Sequence, residues 1–374
     1  MSTGFTIPNR LLLGPGPSNT PASVLAAMSQ PTIGHLDPVF IEMMDQIKQM
    51  LQATFQTQNR LTMPVSAPGS AGMETCLVNL LEPGDQAIVA INGVFGKRMV
   101  ENVVRAGGVP IVVEFEWGSP VDPQRIEEVL NEHPNARLLA FVHAETSTGA
   151  RSDAETLCRL AHERDVLSVV DMVTSWCGIE VDVDGWKADA VYSGAQKCLS
   201  AVPGIAPVTF SEKAADRIRT RSKPVQSWFL DMSLVMAYWA EGGQRAYHHT
   251  APVNTLYAIH EALRLVLDEG LENRWARHRT AHEALVRGVE SLGLSFLVDE
   301  PYRLPMLNAI KVPEGVDEAA VRTKLLTDYN MEIGAGLGPL QGKIWRIGLM
   351  GNNATVECAN RAVSALDECL RALK

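Results

Sequence analysis

The 374-residue chain has no apolar run long enough to span a bilayer, and its opening MSTGFTIPNR lacks the basic-then-apolar build of a secretory leader. It also lacks an excess of positive charge. A formal net charge of −10 argues against nucleic acid or an anionic membrane as the main partner, while leaving room for a local basic pocket. The six cysteines form no CxxC pair and sit inside helical or strand patterns, so they read as packed, reduced thiols. Together these absences predict a protein of a reducing compartment with the cytoplasm as its location, and the closing ECLRALK is not an SKL-type peroxisomal address. No internal repeat, low-complexity tract or long heptad pattern occurs. What is present, 46% hydrophobic and 20% charged residues, excludes disorder and suits an enzyme with a large core.

After an extended entry (LLLGPGPSNTP), helix-period patterns run from Pro21 to about Gln58, and helices and strands then alternate. Helical 70–81, 96–106, 123–132 and 153–164 precede the apolar strands 87–92, 109–116, 137–145 and 166–172 in turn, and strands 190–194 and 206–210 follow. Strands this apolar, spaced by amphipathic helices, predict an α/β fold with a mostly parallel sheet covered on both faces. Sites in such sheets lie at the carboxyl ends of the strands. Residues 143–149, 171–175 and 193–197 each follow such an end and are expected to converge on one crevice. A long helical stretch (about 252–292) leads to strands at 294–298, 307–312, 331–336 and 344–349, with helices at 317–329 and 355–372. The predicted division is a large domain over 21–255 and a small C-terminal α/β domain over 256–374, with segment 1–20 packing alongside.

Asp171 ends the apolar strand of VVDMVTSW, and Lys197 lies in the small-residue loop YSGAQKCLS. This pair suits pyridoxal 5′-phosphate (PLP): the lysine can form a Schiff base with the aldehyde, and the carboxylate can keep the pyridine nitrogen protonated. Gly69-Ser70-Ala71 opens a helical run, where backbone N–H groups and the helix dipole favour a phosphate; the plainer alternative is Ser70 as an ordinary N-cap. The segment carries no GK[ST], GxGxxG or GxSxG, so Ser70 is a poor hydrolase nucleophile. Phe95 sits where an aromatic could stack on a ring or merely pack in the core. Thr146 could serve the cofactor's 3-oxygen or close an ST-turn, and Gln196 could reach that oxygen from the other side. Tyr247-His248-His249-Thr250 has no HExxH and no third ligand nearby, so no metal is expected; its hydroxyls could instead close around a phosphate. Arg346, among apolar residues of KIWRIGLMG, needs an anion, either a structural Asp or Glu or a substrate carboxylate.

With these pieces assembled, the chain resembles the class V PLP-dependent aminotransferases of fold type I, and within them the alanine–glyoxylate/serine–pyruvate aminotransferase family. The likeness runs through LLLGPGPSNTP, CLVNLLEPGD, HAETSTG, VDMVTSWCG, YSGAQKCLSAVPG, YHHTAPVNTLY and KIWRIGLMGNNAT. It implies a seven-stranded-type sheet, Lys197 as the Schiff-base lysine and Asp171 as the pyridinium partner. It further implies Thr146 and Gln196 at the phenolic oxygen, Gly69, Ser70 and Ala71 in the phosphate cup, Phe95 against the ring and Arg346 on the substrate carboxylate. Tyr247 and Thr250 would reach the phosphate of the neighbouring subunit's cofactor, which implies a homodimer with shared sites.

Departures accompany the likeness. The cup reads PGSAG where animal relatives commonly have SGHxA, and in the family a Trp often occupies the position of Phe95 and a Ser that of Thr146. A sister group acting on ureidoglycine and glyoxylate resembles EFEWGSPVDP, DGWKADA and GPLQGKIWRIG, but usually has Gln in the segment of His35 and Asn where Tyr247 stands. His35 is therefore a candidate substrate-side residue. The function implied is a ping-pong transaminase moving an amino group from alanine or serine to glyoxylate or pyruvate. The alternative is a ureidoglycine–glyoxylate aminotransferase; cysteine desulfurase or lyase chemistry, and a non-catalytic PLP-fold binding protein, stand further off.

Overall fold

Runs such as QAIVAI and LLAFV are apolar at nearly every position, so they are stable only with both faces of the sheet covered. The computed structural model describes residues 4–239 and 245–373. In chain order the first half contains β1 (Leu11–Leu12), α1 (Ala22–Met28), α2 (Pro38–Phe55), β2 (Leu61–Val65), α3 (Gly69–Leu80), β3 (Gln86–Ile91), α4 (Val94–Arg105), β4 (Val109–Glu114), α5 (Pro123–Glu132), β5 (Leu138–Val142), β6 (Ala144–Glu145), β7 (Ala150–Arg151), α6 (Ala154–Glu163) and β8 (Leu167–Asp171). There follow β9 (Ala190–Tyr192), β10 (Ala206–Phe210), α7 (Glu212–Arg219), α8 (Met232–Tyr238), α9 (Val253–Glu269), α10 (Leu271–Ser291), β11 (Leu307–Lys311), α11 (Glu318–Asp328), β12 (Met331–Glu332), β13 (Gly334–Ala335), β14 (Ile344–Gly348) and α12 (Val356–Ala372).

Seven strands form the main sheet in the order β2-β10-β9-β8-β5-β3-β4. Its strands β4, β3, β5, β8 and β9 are parallel, and β10 runs antiparallel to both β9 and β2. From β3 the chain steps outward to β4, then returns to β5 on the other side of β3, so the connections diverge between β3 and β5. Ligands bind at such a switch point, beyond the carboxyl ends of the strands. The loops leaving those two ends carry Phe95 and Thr146. A smaller antiparallel sheet, β11-β14-β13, builds a second core with α10, α11 and α12. The entry segment joins it through β1, which pairs with β12.

Several elements differ from the sequence reading. Residues 21–58 form two helices, α1 and α2, because Pro31 and the Gly34–Asp37 turn interrupt the pattern. The stretch 252–292 is likewise two helices, broken at Gly270, whose φ of 81° is left-handed. Strand 294–298 is reduced to an isolated bridge between Phe296 and Ile310. Segment 331–336 splits so that β12 pairs with the entry segment and β13 with β14. Strand β2, absent from the reading, lies at the edge of the main sheet beside β10.

Candidate active site

Asp171 closes β8 at its carboxyl end and is 2% exposed. Its Oδ1 accepts from Val173 N at 2.8 Å, and its Oδ2 from the Tyr192 hydroxyl at 2.7 Å. Burial pushes this carboxyl up to about 7, and the Glu145 charge adds to that, against the two hydrogen bonds and the attraction of Lys197. Lys197 lies in the loop after β9 and is also buried. Burial brings its ammonium down to about 8, helped by the charge of Arg346 and opposed by Asp171. The Lys197 amine donates to Pro15 O, and its carbonyl accepts from Ser18 Oγ at 2.9 Å, so the entry segment lies over the lysine. Gly16 makes that close passage possible. It sits at φ +99°, and a Cβ there would come within 2.6 Å of Lys197 Cδ.

Helix α3 begins at Gly69, with Pro68 at the N-cap and no side chain capping it. The plain N-cap reading of Ser70 is thereby overturned, because the helix starts before Ser70, whose side chain is exposed. The first N–H groups of α3, at Gly69 and Ser70, are therefore free to meet an anion. Gly69 itself faces the site: a Cβ placed on it would touch Ser193 O and Val173 Cγ2, both at 3.5 Å. Gln196 Oε1 is buried without a hydrogen-bond partner. An orphaned acceptor of that kind calls for a donor that the protein does not supply.

Thr146 Oγ1 meets Thr174 Oγ1 at 2.5 Å, which ties the loop after β5 to the loop after β8. Its carbonyl accepts from Arg346 Nη1 at 3.0 Å, and Arg346 Nε donates to Ala335 O at 2.7 Å. Arg346 is 6% exposed, and burial lowers its guanidinium to about 10 against the favourable charge of Glu145. Among the described residues no Asp or Glu forms an ion pair with it. Of the two anions that the sequence left open, the structural carboxylate is thus not built among the described residues.

Glu145 escaped the sequence reading. Its buried carboxylate accepts from Phe95 N at 3.2 Å, and Ser147 Oγ accepts from Val94 N at 3.0 Å. The two side chains together cap α4, whose own N-cap is Gly93; a Cβ on Gly93 would overlap both of them. Phe95 is held at the first turn of α4 by this cap, with the Arg98 guanidinium 4.8 Å from its ring centroid. The Arg98 charge also acts on Lys197.

His35, Tyr247 and Thr250 gather elsewhere. The Tyr247 ring lies 5.3 Å from that of His35, and its hydroxyl is 3.3 Å from Thr250 Oγ1. Tyr247 is 61% exposed, and among the described residues no hydrogen bond or ring contact joins this group to Lys197 or Asp171 within one chain. His248 stacks on Trp228 at 4.4 Å, and His249 Nε2 meets Ser66 Oγ at 2.8 Å.

The sequence matches the family model Aminotransferase class-V over residues 10–349. The chain belongs to the class-V aminotransferases. Over 373 residues it is 41% identical to the alanine–glyoxylate aminotransferase of Rattus norvegicus, covering 99% of this chain and 90% of the rat protein. The crystal structure of an alanine–glyoxylate aminotransferase from Nostoc sp. superposes with a TM-score of 0.97 at 44% identity, covering 99% of this chain and 98% of that one. The ureidoglycine–glyoxylate aminotransferase structure from Bacillus subtilis gives 0.96 at 37% identity, covering 99% and 95%.

For a class-V aminotransferase the arrangement reads coherently. Buried acid and buried amine attract each other, the start of α3 lies against the loops after β8 and β9, and a guanidinium with no acidic partner among the described residues acts on the amine. The fold type I architecture expected from the sequence is present. Sequence reasoning missed Glu145, Tyr192, Thr174 and the covering Gly16–Ser18 segment. All of them stood inside quoted motifs (HAETSTG, YSGAQKCLS, VDMVTSWCG and LLLGPGPSNTP), but their roles rest on contacts that form only in the folded chain.

Proposed function

We propose that this aminotransferase uses pyridoxal 5′-phosphate to pass the amino group of alanine or serine to glyoxylate, as a homodimer with shared sites. The observation that carries the reading is that buried Lys197 and Asp171 attract each other, with the Arg346 charge acting on the lysine and the uncapped start of α3 lying against Val173 and Ser193. The residues fit the cofactor. Gly69, Ser70 and Ala71 would hold its phosphate, Asp171 its ring nitrogen, Thr146 and the orphaned Gln196 its phenolic oxygen, and Phe95 its face. When bound, the cofactor supplies an aldehyde that captures amines and a ring that withdraws electrons from the amino acid's Cα.

The chain's own residues do the rest. Arg346 holds the substrate carboxylate through Nη2, the nitrogen not engaged by Ala335 and Thr146, and so fixes the orientation of the Cα–H bond. Lys197, with its ammonium brought down to about 8, has a larger neutral fraction near physiological pH than an ordinary lysine, and can take the Cα proton and return it. Pro15 to Ser18 lie over this amine and limit the access of water. The exposed Tyr247, Trp228, Leu36 and Val39 lie beside the His35–Thr250 group, which supports a second subunit as the cover of this surface. Desulfurase chemistry needs a mobile, exposed thiol. Cys198 is fully buried, donates to Thr174 O at 3.3 Å and has its pKa pushed up to about 12.

Single-turnover absorbance of the loaded enzyme tests the proposal. Alanine or serine should bleach the cofactor band rapidly, and glyoxylate should restore it. Bleaching by ureidoglycine alone would transfer the protein to purine breakdown, and no bleaching by any of the three would defeat the substrate assignment. Lys197→Ala should lower turnover by roughly 1,000-fold or more while the cofactor still binds. In the same assay Arg346→Ala should raise KM for every carboxylate substrate by about 10- to 100-fold, the worth of a charged hydrogen-bonded pair.

A further inference from the structure

Strands β8 and β9 run parallel, and Asp171 stands opposite Tyr192 in their register, so the two side chains share a face of the sheet. Tyr192 is fully buried. Its ring is fixed by α3, which crosses β9 at Gly72, where a Cβ would press on Tyr192 Cβ at 3.1 Å and Ala206 Cβ at 3.0 Å. From this seat its hydroxyl donates to Asp171 Oδ2 at 2.7 Å, while Val173 N holds Oδ1. Both contacts are donors, so both favour the carboxylate over the neutral acid. The phenol cannot exchange that role, because burial and the neighbouring Asp171 charge hold its own ionisation well above the ordinary tyrosine value.

We propose that Tyr192 is a positioning residue for the acid beneath the cofactor: its phenol orients the Asp171 carboxylate and keeps it ionised, as an acceptor for the ring nitrogen. The inference rests on the transaminase reading. Asp171 is otherwise poorly served. Glu145 repels its charge, burial disfavours it, and the attraction of Lys197 is a smaller effect than either. Without the phenol, the carboxylate would lose one of its two protein donors and would drift towards the neutral acid, which cannot hold a protonated ring nitrogen. Tyr192→Phe removes the single oxygen and keeps the ring that packs against Gly72.

The experiment compares two ligands on apoprotein. Wild type and Tyr192→Phe are titrated by equilibrium dialysis with pyridoxal 5′-phosphate and with its 1-deaza analogue, in which a carbon replaces the ring nitrogen. Near-UV circular dichroism of each apoprotein monitors the fold. Tyr192→Phe should weaken binding of the natural cofactor by roughly 10-fold, as expected for a hydrogen bond to a charged group, and change the affinity for the analogue less than about 2-fold. In an Asp171→Asn background the same substitution should alter neither affinity, because its effect travels through the carboxylate. Equal weakening of both ligands would make Tyr192 a packing residue only, and unchanged binding of both would overturn the inference outright. An effect that persists in the Asp171→Asn background would also overturn it. If wild type binds neither ligand, the transaminase reading itself has failed, a result separate from all of these.

Discussion

Asp171 and Lys197 are each moved towards neutrality by burial, and each is drawn back towards its charged form by the other. In apoprotein this balance has a thermodynamic signature. The folded value for Asp171, about 7, lies above the ordinary 3.8, so the folded state holds the proton more tightly than the unfolded chain. The stabilisation that this proton binding gives is complete below the unfolded value and is lost as pH rises through the folded one. Asp171→Asn does not titrate. The stability of wild-type apoprotein relative to this variant should therefore fall from about pH 4 to pH 8, by up to about 4 kcal/mol in total. Urea unfolding of both proteins across that range measures it. A flat difference would mean that the carboxylate is not desolvated, and the electrostatic account of the site would go with it.

At the scale of elements, α4 shows how a site residue is placed by groups distant in the chain. Glu145 and Ser147 satisfy the amides of Phe95 and Val94 across some fifty positions of sequence. Ser147→Ala should cost about 1 kcal/mol, the usual worth of an N-cap. Glu145→Gln should cost about 2 kcal/mol, because a charged acceptor is replaced in a buried setting. Faster amide exchange at Val94 and Phe95, with the end of α4 unaffected, is the expected pattern; uniform acceleration along the helix would contradict a capping role. Cross-chain bonds of this kind explain what the sequence could and could not show. The strands β3, β5 and β8 were legible because continuous apolar runs admit little else, and the site loops followed from their carboxyl ends. Strand β2 was not legible, since Pro64 interrupts its pattern; the fold tolerates it at the sheet edge, opposite Pro207. Gly270 hid a helix break because a lone glycine inside an apolar-periodic stretch fits either outcome. Tyr192 became visible as the partner of Asp171 only once the strand order placed β9 beside β8.

Across the whole molecule, the two cores meet at a polar junction directly behind the lysine loop. Arg274, on α10, donates to Cys198 O at 2.5 Å and to Cys177 O at 3.2 Å; Arg277 donates to Gly351 O and Ala354 O at 2.8 and 2.9 Å. Glu269 pairs with both arginines. His278 completes the junction: its Nδ1–H donates to Arg274 O at 2.8 Å, and its Nε2 accepts from Gly351 N at 2.9 Å. That pattern requires the neutral ring. Burial and the charge of Arg274 lower its pKa to about 3, from an ordinary 6.5. Because the folded value is the depressed one, the stabilising effect is full above the unfolded value and disappears as pH falls towards the folded one. His278→Gln removes the titration. The stability advantage of wild type over this variant should be largest near pH 7.5 and should shrink by about 1.4 kcal/mol for each unit of pH below 6.5. An advantage that stays constant down to about pH 4.5 would mean that the ring takes up its proton as readily in the folded protein as in the unfolded chain. The turn at Gly351 would then be held against the lysine loop by the arginine bonds and by Asn352 N–H, which donates to Ser200 Oγ at 2.8 Å.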